Sequence, residues 1–380
     1  MFSRLSLVMM TALLMFPQIA ETLYSPALTH ISAHFFVTAD AAAQTLSVYF
    51  ISFAFGVLFW GRLCDALGRK PAMIAGLCIY ALGTVIALVT NDFTLLLTAR
   101  VISAFGAATG SVVTQTMLRD RFSGHQLASI FSFIGIALAI SPAVGVYAGG
   151  VLASRWGFYG VFIALASLAA VLLAGCLTLP ETRPTQRTHI PITAVVSRMA
   201  GDTKIGLATL LVASFNVSLF SYYSLAPFLF ERLHYDAQVF GYSGIALAAG
   251  SVIGSLMNRW LLKHGKSLEW LLAFACTVNL FGSVGVFGLS HSVMFLLPMT
   301  LVTAAFSMAI PVVLGSALSA YGDCRGSAGA LFGLCYYLLI GCGLALSGRG
   351  QSLGAALIIS ALFCGIAAWR YLPKLSERQS

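Results

Sequence analysis

The sequence predicts an all-α integral membrane protein of twelve transmembrane helices, arranged as two pseudo-symmetric six-helix bundles. Three observations carry that expectation. The 380 residues are 59% hydrophobic and only 9% charged, whereas an ordinary soluble domain is about 45–50% apolar and roughly 25% charged. Apolar stretches of membrane-crossing length recur twelve times along the chain. The basic residues fall mainly in alternate connections. So much apolar surface exceeds what one core can hide, and lipid is the solvent that it fits.

The first stretch, 5–27, follows Arg4 in the manner of a secretory signal. It continues to about Leu28 with no small-x-small cleavage pattern, so it reads as a retained span. About 20 mainly apolar residues cross the hydrocarbon. Further stretches of that kind lie at 43–61, 72–90, 93–117, 127–150 and 157–179, then at 205–230, 239–262, 268–289, 293–315, 327–346 and 352–372. A backbone in lipid must satisfy its own hydrogen bonds, and these stretches are too long for barrel strands, so each is a helix. The 36 glycines suit close helix approach.

With the N-terminus inside, the cytoplasmic segments hold Arg4, Arg62 to Lys70, Arg119 and Arg121, Arg183 to Lys204, Arg259 to Lys266, Arg325, and Arg370 to Arg378. Only Arg155, Arg232 and Arg349 fall on the other side, and Arg100 falls inside a span. That alternation fits the positive-inside rule and places both termini in the cytoplasm. The connection 180–204, PETRPTQRTHIPITAVVSRMAGDTK, is polar, basic and Pro-interrupted. It divides the chain into an N-terminal bundle (1–179), a cytoplasmic linker and a C-terminal bundle (205–380). Gly61 with Asp65 and Gly254 with Asn258 end the second and eighth spans at the same spacing, as a repeat of six-helix halves requires. Two such halves around a midplane site form a transporter architecture.

Net charge is +9, but the basic residues are scattered over short connections, so no nucleic-acid partner is expected. The eight cysteines form no CxxC pair and sit mostly in apolar stretches, as small buried hydrophobes would. Neither a metal site nor a cofactor is expected. No connection is long enough for a sensor's output domain, no pore-loop segments repeat, and no nucleotide motif supports an ATP-driven pump. A membrane enzyme would need more polar residues within its spans. The chain is not expected to be an enzyme, and a monomer is expected.

One stretch concentrates charge: GRLCDALGRK, 61–70. It resembles motif A of the major facilitator superfamily, G-x-x-x-D-x-x-G-R-K/R, matching at Gly61, Asp65, Gly68, Arg69 and Lys70 between the second and third spans. LLLTARVISAFGAATG (95–110) resembles motif B, with Arg100 and Gly106. GIALAISPAVGVYAGG (135–150) resembles motif C, the antiporter motif, at Pro142, Gly145, Gly149 and Gly150, with Ser141 where a glycine is usual. ETLYSPAL, LPETRP and SLGAAL resemble the Bcr/CflA group within that superfamily. The resemblance implies proton-driven export of small molecules across a bacterial inner membrane by a compact twelve-helix chain.

Positive-inside topology and a tight turn account for Arg69 and Lys70 without any further role. They do not account for Asp65. By the resemblance, Asp65 would latch the halves together on the cytoplasmic side, against nearby bases and the start of the eleventh helix near Arg325 and Gly326. Motif C also has a mechanical reading: Pro142 removes a helix hydrogen bond, and Gly145 with Gly149 makes a GxxxG face. The same pattern at Gly106/Gly110, Gly250/Gly254 and Gly329/Gly333 suits simple packing equally well.

Ionisable residues inside spans are functional candidates by default. Glu21 lies roughly 24 Å along the first span, and Arg100 about 10 Å from the outer start of the fourth, at ~1.5 Å per residue. Both come out in the outer half of a core about 30 Å thick, and the resemblance implies that the first and fourth helices line the central cavity, where the two could pair. One reading is a proton-exchange pair that substrate competes to open; the other is a static pair that fixes packing. The Bcr/CflA group often has an aspartate one position later, where this chain has Thr22. For substrate contacts, Tyr24, Tyr49, Phe53, Asn216, Phe220 and Tyr223 form an aromatic wall suited to flat or lipophilic ligands. Tyr222 and Tyr223 also suit an interfacial belt. The expected partners are a small-molecule substrate, protons and the bilayer, and proton symport or facilitated import of a nutrient is the alternative.

Overall fold

Three helix starts are set by acids. Asp92, Asp202 and Asp236 stand just before helices and accept hydrogen bonds from backbone N–H groups two or three residues on. Those are donors that a helix's first turn leaves unpaired. The computed structural model describes residues 4–183, 192–321 and 324–376, and among these the ordered elements are all helical. They are α1 (Arg4–Tyr24), α2 (Leu28–His34), α3 (Ala39–Leu67), α4 (Arg69–Val89), α5 (Phe93–Arg121), α6 (Gly124–Leu177), α7 (Ile192–Ala200), α8 (Thr203–Arg232), α9 (Ala237–Lys263), α10 (Leu268–Gly288), α11 (Leu296–Ala317), α12 (Arg325–Gly350) and α13 (Leu353–Ser376). Arg187 and Arg378, and the side chains of Arg4 and Arg325, lie outside what is described.

Eleven of these stretches are long and apolar enough to cross a membrane. The 54-residue α6 serves as two spans, because Gly157 (φ 60, ψ −154) breaks it. That backbone region is open to glycine and strained for other residues. Twelve crossings result, and α1 begins on the face where α13 finishes. That face is here the terminal end, and the opposite one the distal end. Residues 151–156, expected as a connection, are helical: hydropathy marks the part in hydrocarbon, while the helical ladder runs on to its breaker.

The halves repeat their packing. In the first, α3 and α4 pack on α5, and α1 packs on both parts of α6. In the second, α9 and α10 pack on α11, and α8 packs on α12 and α13. One core joins residues from Met10 to Leu179 with Phe228, and another runs from Val195 to Tyr371. A third, with Phe50, Val146, Tyr222, Phe240 and Ile340, bridges the two. The halves meet along α3–α12 and α6–α9. Ser25 Oγ donates to the Tyr223 carbonyl, Gln44 Nε2 donates to the Ala345 carbonyl at 3.1 Å, and Gly150 backs onto Gly241. These contacts lie toward the distal end. In the linker, α7 is tied to the second half, where Arg198 Nη2 donates to the Ala320 carbonyl at 2.6 Å and lies over the Tyr321 ring.

Candidate functional site

Glu21 sits near the distal end of α1, 3% exposed, and its Oε1 has no hydrogen-bond partner. Arg100, on α5, is 1% exposed. Its guanidinium packs on two rings, with Cζ 3.9 Å from the Tyr24 centroid and 4.5 Å from that of Tyr49. Cation–π attraction strengthens when water is excluded, as it is here. Tyr24 is fixed in turn, because its hydroxyl donates to Thr45 Oγ1 at 2.8 Å. The guanidinium Nε and Nη2 have no acceptor. Glu21 and Arg100 make no ion pair within 4.0 Å, although each lies within electrostatic reach of the other.

The same carboxylate lies within electrostatic reach of Tyr49 on α3, Tyr223 on α8 and Tyr337 on α12. It therefore stands where the two halves meet. Rings from both halves close that region: Phe50 with Phe220 at 4.5 Å, Phe53 with Tyr337 at 4.9 Å, and Tyr336 with Tyr337 at 4.4 Å between centroids. Phe220 and Tyr223 continue the cluster along α8. Asn216, two turns from Tyr223, is half-buried and donates from Nδ2 to the Val212 carbonyl. Tyr222 and Tyr223 are both buried, so neither belongs to a headgroup belt. Sequence reasoning missed Phe50, Tyr336 and Tyr337. Adjacent tyrosines inside an otherwise apolar eleventh span were the available signal.

The motif C residues grip α1 on either side of Glu21. Ser141 Oγ donates to Gln18 Oε1 at 2.7 Å, so the hydroxyl that replaces a glycine has a partner on that helix. A methyl group on Gly145 would collide with Thr22 Oγ1, and one on Gly149 with the Leu23 carbonyl. Gly150 faces the other half, where a methyl would stand 2.7 Å from the Gly241 Cα. Pro142 lies inside α6, one residue past Ser141. Thr22 thus faces α6, while Glu21 faces the aromatic cluster.

At the terminal end, the motif A residues surround the α3–α4 turn. Gly61 ends no helix but sits within α3 against Val112. Gly68 turns the chain with φ 115, a region that disfavours residues with a Cβ. Arg69 is buried and fully engaged: Nε to Asp120 Oδ2 at 2.6 Å, Nη1 to Asp65 Oδ1 at 3.1 Å and to the Cys64 carbonyl at 3.1 Å. The Asp65 side chain is 66% exposed, and its ion pair is with Arg69 of its own half. Lys70 Nζ donates to the Leu177 carbonyl at 2.6 Å. Glu181 completes the turn, accepting the Arg69 and Lys70 backbone N–H groups at 2.9 and 3.0 Å. Asp120 and Glu181 were not foreseen as members of this network. Among the described residues, no group of three His, Cys, Asp or Glu side chains is placed to hold a metal ion.

Comparison with known proteins places these features in context. The description "Major Facilitator Superfamily" matches residues 10–346. An uncharacterised transporter of Rickettsia bellii is 28% identical over 352 residues, covering 87% of this chain and 86% of that protein. Multidrug resistance protein D of Escherichia coli is 23% identical over 337 residues, covering 86% and 84%. A bicyclomycin resistance protein homologue of Haemophilus influenzae is 25% identical over 332 residues, covering 84% and 82%. Among solved structures, a D-xylose–proton symporter superposes with a TM-score of 0.74 at 16% identity, covering 95% of this chain and 97% of that one. At that identity the likeness concerns the fold alone.

Proposed function

Because the chain belongs to the major facilitator superfamily, we propose that this membrane transporter exports small lipophilic drugs or metabolites in exchange for protons, by alternating access. The observation that carries this reading is Glu21, a buried carboxylate with an unpartnered oxygen at the aromatic meeting point of the two halves. A buried charge without a partner is costly, so such a group is held for a ligand or a proton. The drug-resistance names among the relatives agree with export.

In this reading the terminal end is the cytoplasmic one and the membrane is the bacterial inner membrane. The protein works as a monomer, with halves 1–179 and 205–380 joined by the linker. The seam is shut distally by the Ser25, Gln44 and Gly150 contacts, and Asp65 is exposed, as in a carrier open to the cytoplasm. Substrate enters from that side and meets the rings of Tyr24, Tyr49, Phe53, Phe220 and Tyr223. Its binding displaces the proton from Glu21, with Arg100 stabilising the carboxylate through space. Asp65 then closes the terminal end as the distal contacts part. Release outward is followed by protonation of Glu21, and the return carries the proton inward, driven by about 2.3 kcal/mol per 100 mV. Gly145, Gly149 and Gly150 keep α6 close to α1 and α9, sealing the path to proton leak.

The test is proton movement in everted membrane vesicles held acid inside. Adding a transported compound releases protons in wild type and fails to do so in Glu21→Gln. Further acidification of the vesicle interior on addition would indicate symport, and no movement with any of a panel of lipophilic cations, neutral antibiotics and small metabolites would indicate a facilitator.

A further inference from the structure

Among the described residues, three side chains stand out as buried and charged: Glu21, Arg69 and Arg100. Arg69 is matched by carboxylates, and the other two are not. Glu21 lacks a donor on Oε1. Arg100 lacks acceptors on Nε and Nη2. Those two nitrogens form the side edge of the guanidinium, whose parallel N–H bonds fit both oxygens of one carboxylate. The guanidinium carbon lies over the rings of Tyr24 and Tyr49, and neither ring supplies an acceptor to that edge. Arg100 packs on Tyr49 and Glu21 lies within electrostatic reach of that ring, the two charges being on different helices and out of ion-pair contact.

We infer that these groups form a dipolar recognition site for a zwitterion: a small molecule with an ammonium group for Glu21, a carboxylate for the Arg100 edge and a flat apolar body. This rests on the transport reading above and narrows its substrate class. The argument is one of completeness. A cation would satisfy Glu21 and leave two buried donors on Arg100 unpaired. An anion would do the reverse, and a neutral molecule would leave both ends wanting. Only a ligand bearing both charges fills both ends, and it does so without adding net charge to a site whose own charges cancel. Unmade hydrogen bonds at buried groups are what give such sites their selectivity. The flat body follows from the rings: Tyr49 and Phe53 lie within 23° of parallel, and Phe50 and Tyr337 within 18°. Near-parallel pairs of rings offer stacking faces to a third. Proton coupling remains possible with such a ligand, because the ammonium group and the proton compete for the same carboxylate.

The experiment uses the purified full-length protein and four forms of one scaffold. L-phenylalanine is the zwitterion, L-phenylalaninamide the cation, N-acetyl-L-phenylalanine the anion and N-acetyl-L-phenylalaninamide the neutral form. Binding is read as the ligand-dependent shift in thermal unfolding and by equilibrium competition. The expected ranking puts L-phenylalanine at least tenfold tighter than each of the others. Glu21→Gln should bring it down to the level of the anion, and Arg100→Lys, which keeps the charge but loses the two-pronged edge, to the level of the cation. The wild-type ranking stands without the variants, so a poorly folding variant does not blur it. Equal binding of cation and zwitterion, or a ranking unchanged in Arg100→Lys, overturns the inference. Failure of all four to bind, while another compound still drives proton exchange, overturns the zwitterion site and leaves antiport intact. Tight binding of L-phenylalanine with no proton movement overturns antiport and leaves the site.

Discussion

Arg69 and Arg100 are both buried arginines in a membrane protein, and they are treated in opposite ways. Arg69 holds Asp120 at 2.6 Å, Asp65 at 3.1 Å and the Cys64 carbonyl. Arg100 packs on two aromatic rings, and its Nε and Nη2 have no acceptor. A buried ion pair with every hydrogen bond made holds structure in place. A buried charge left incomplete raises the energy of the state that contains it, and a ligand, a proton or a conformational change can recover that energy. The first arrangement belongs to a hinge-like turn, the second to a site.

The sharpest way to break that comparison is Glu21→Gln. The substitution keeps shape and removes the carboxylate at the aromatic cluster. Proton exchange should fall by at least about 100-fold, in line with loss of an essential proton-carrying group. The unfolding midpoint in detergent should barely move, since no hydrogen bond of Glu21 is lost. A large fall in that midpoint would make Glu21 structural and erase the contrast.

Arg69→Met tests the other pole. It leaves Asp120, with a side chain only 12% exposed, without its cation. Removing one partner of a buried pair costs about 3–5 kcal/mol, with the lower end expected because Asp65 is largely in water. Thermal unfolding of purified protein reads the loss directly. If Arg69→Met leaves stability unchanged and abolishes transport, Arg69 is a moving part of the gate and its pairing is incidental.

Between these poles stands Gly145→Val, which leaves all charges in place. The added side chain would press on Thr22, next to Glu21, and overpacking of this kind costs roughly 1–3 kcal/mol. Transport should drop about tenfold while the protein still assembles. A leak of protons without substrate, seen in the same vesicles, would support the sealing role of this helix contact.

How far the sequence reaches is visible in these residues. The helix count and the two intramembrane charges were legible because hydropathy is a local property, summed over about 20 residues. Depth could also be reckoned from position along each span. Lateral placement could not: nothing in the spacing told that the Arg100 guanidinium packs on the rings of Tyr24 and Tyr49 and makes no ion pair with Glu21 within 4.0 Å. Partners far along the chain were equally hidden. Asp120 and Glu181 lie 51 and 112 positions from Arg69, and folding alone brings them to it. Ser141 read as a departure from a motif, and its hydroxyl proves to bond Gln18.

Glu181 supplies the smallest expected effect and the finest distinction. Its carboxylate receives the first two N–H groups of α4 and those of Thr182 and Arg183. An anion at a helix N-terminus stabilises by about 0.3–1 kcal/mol at an exposed site. Glu181→Gln keeps an oxygen acceptor and removes the charge, so it should cost a few tenths of a kcal/mol and only at low salt. Glu181→Ala removes the acceptor as well and should cost about 1 kcal/mol, the usual effect of losing a cap. If the two variants are equally stable across salt concentrations, the turn below α4 is held by Arg69 and Gly68 alone. A slower transport rate in Glu181→Ala, at unchanged stability, would instead make this cap a part of the same moving gate as Asp65.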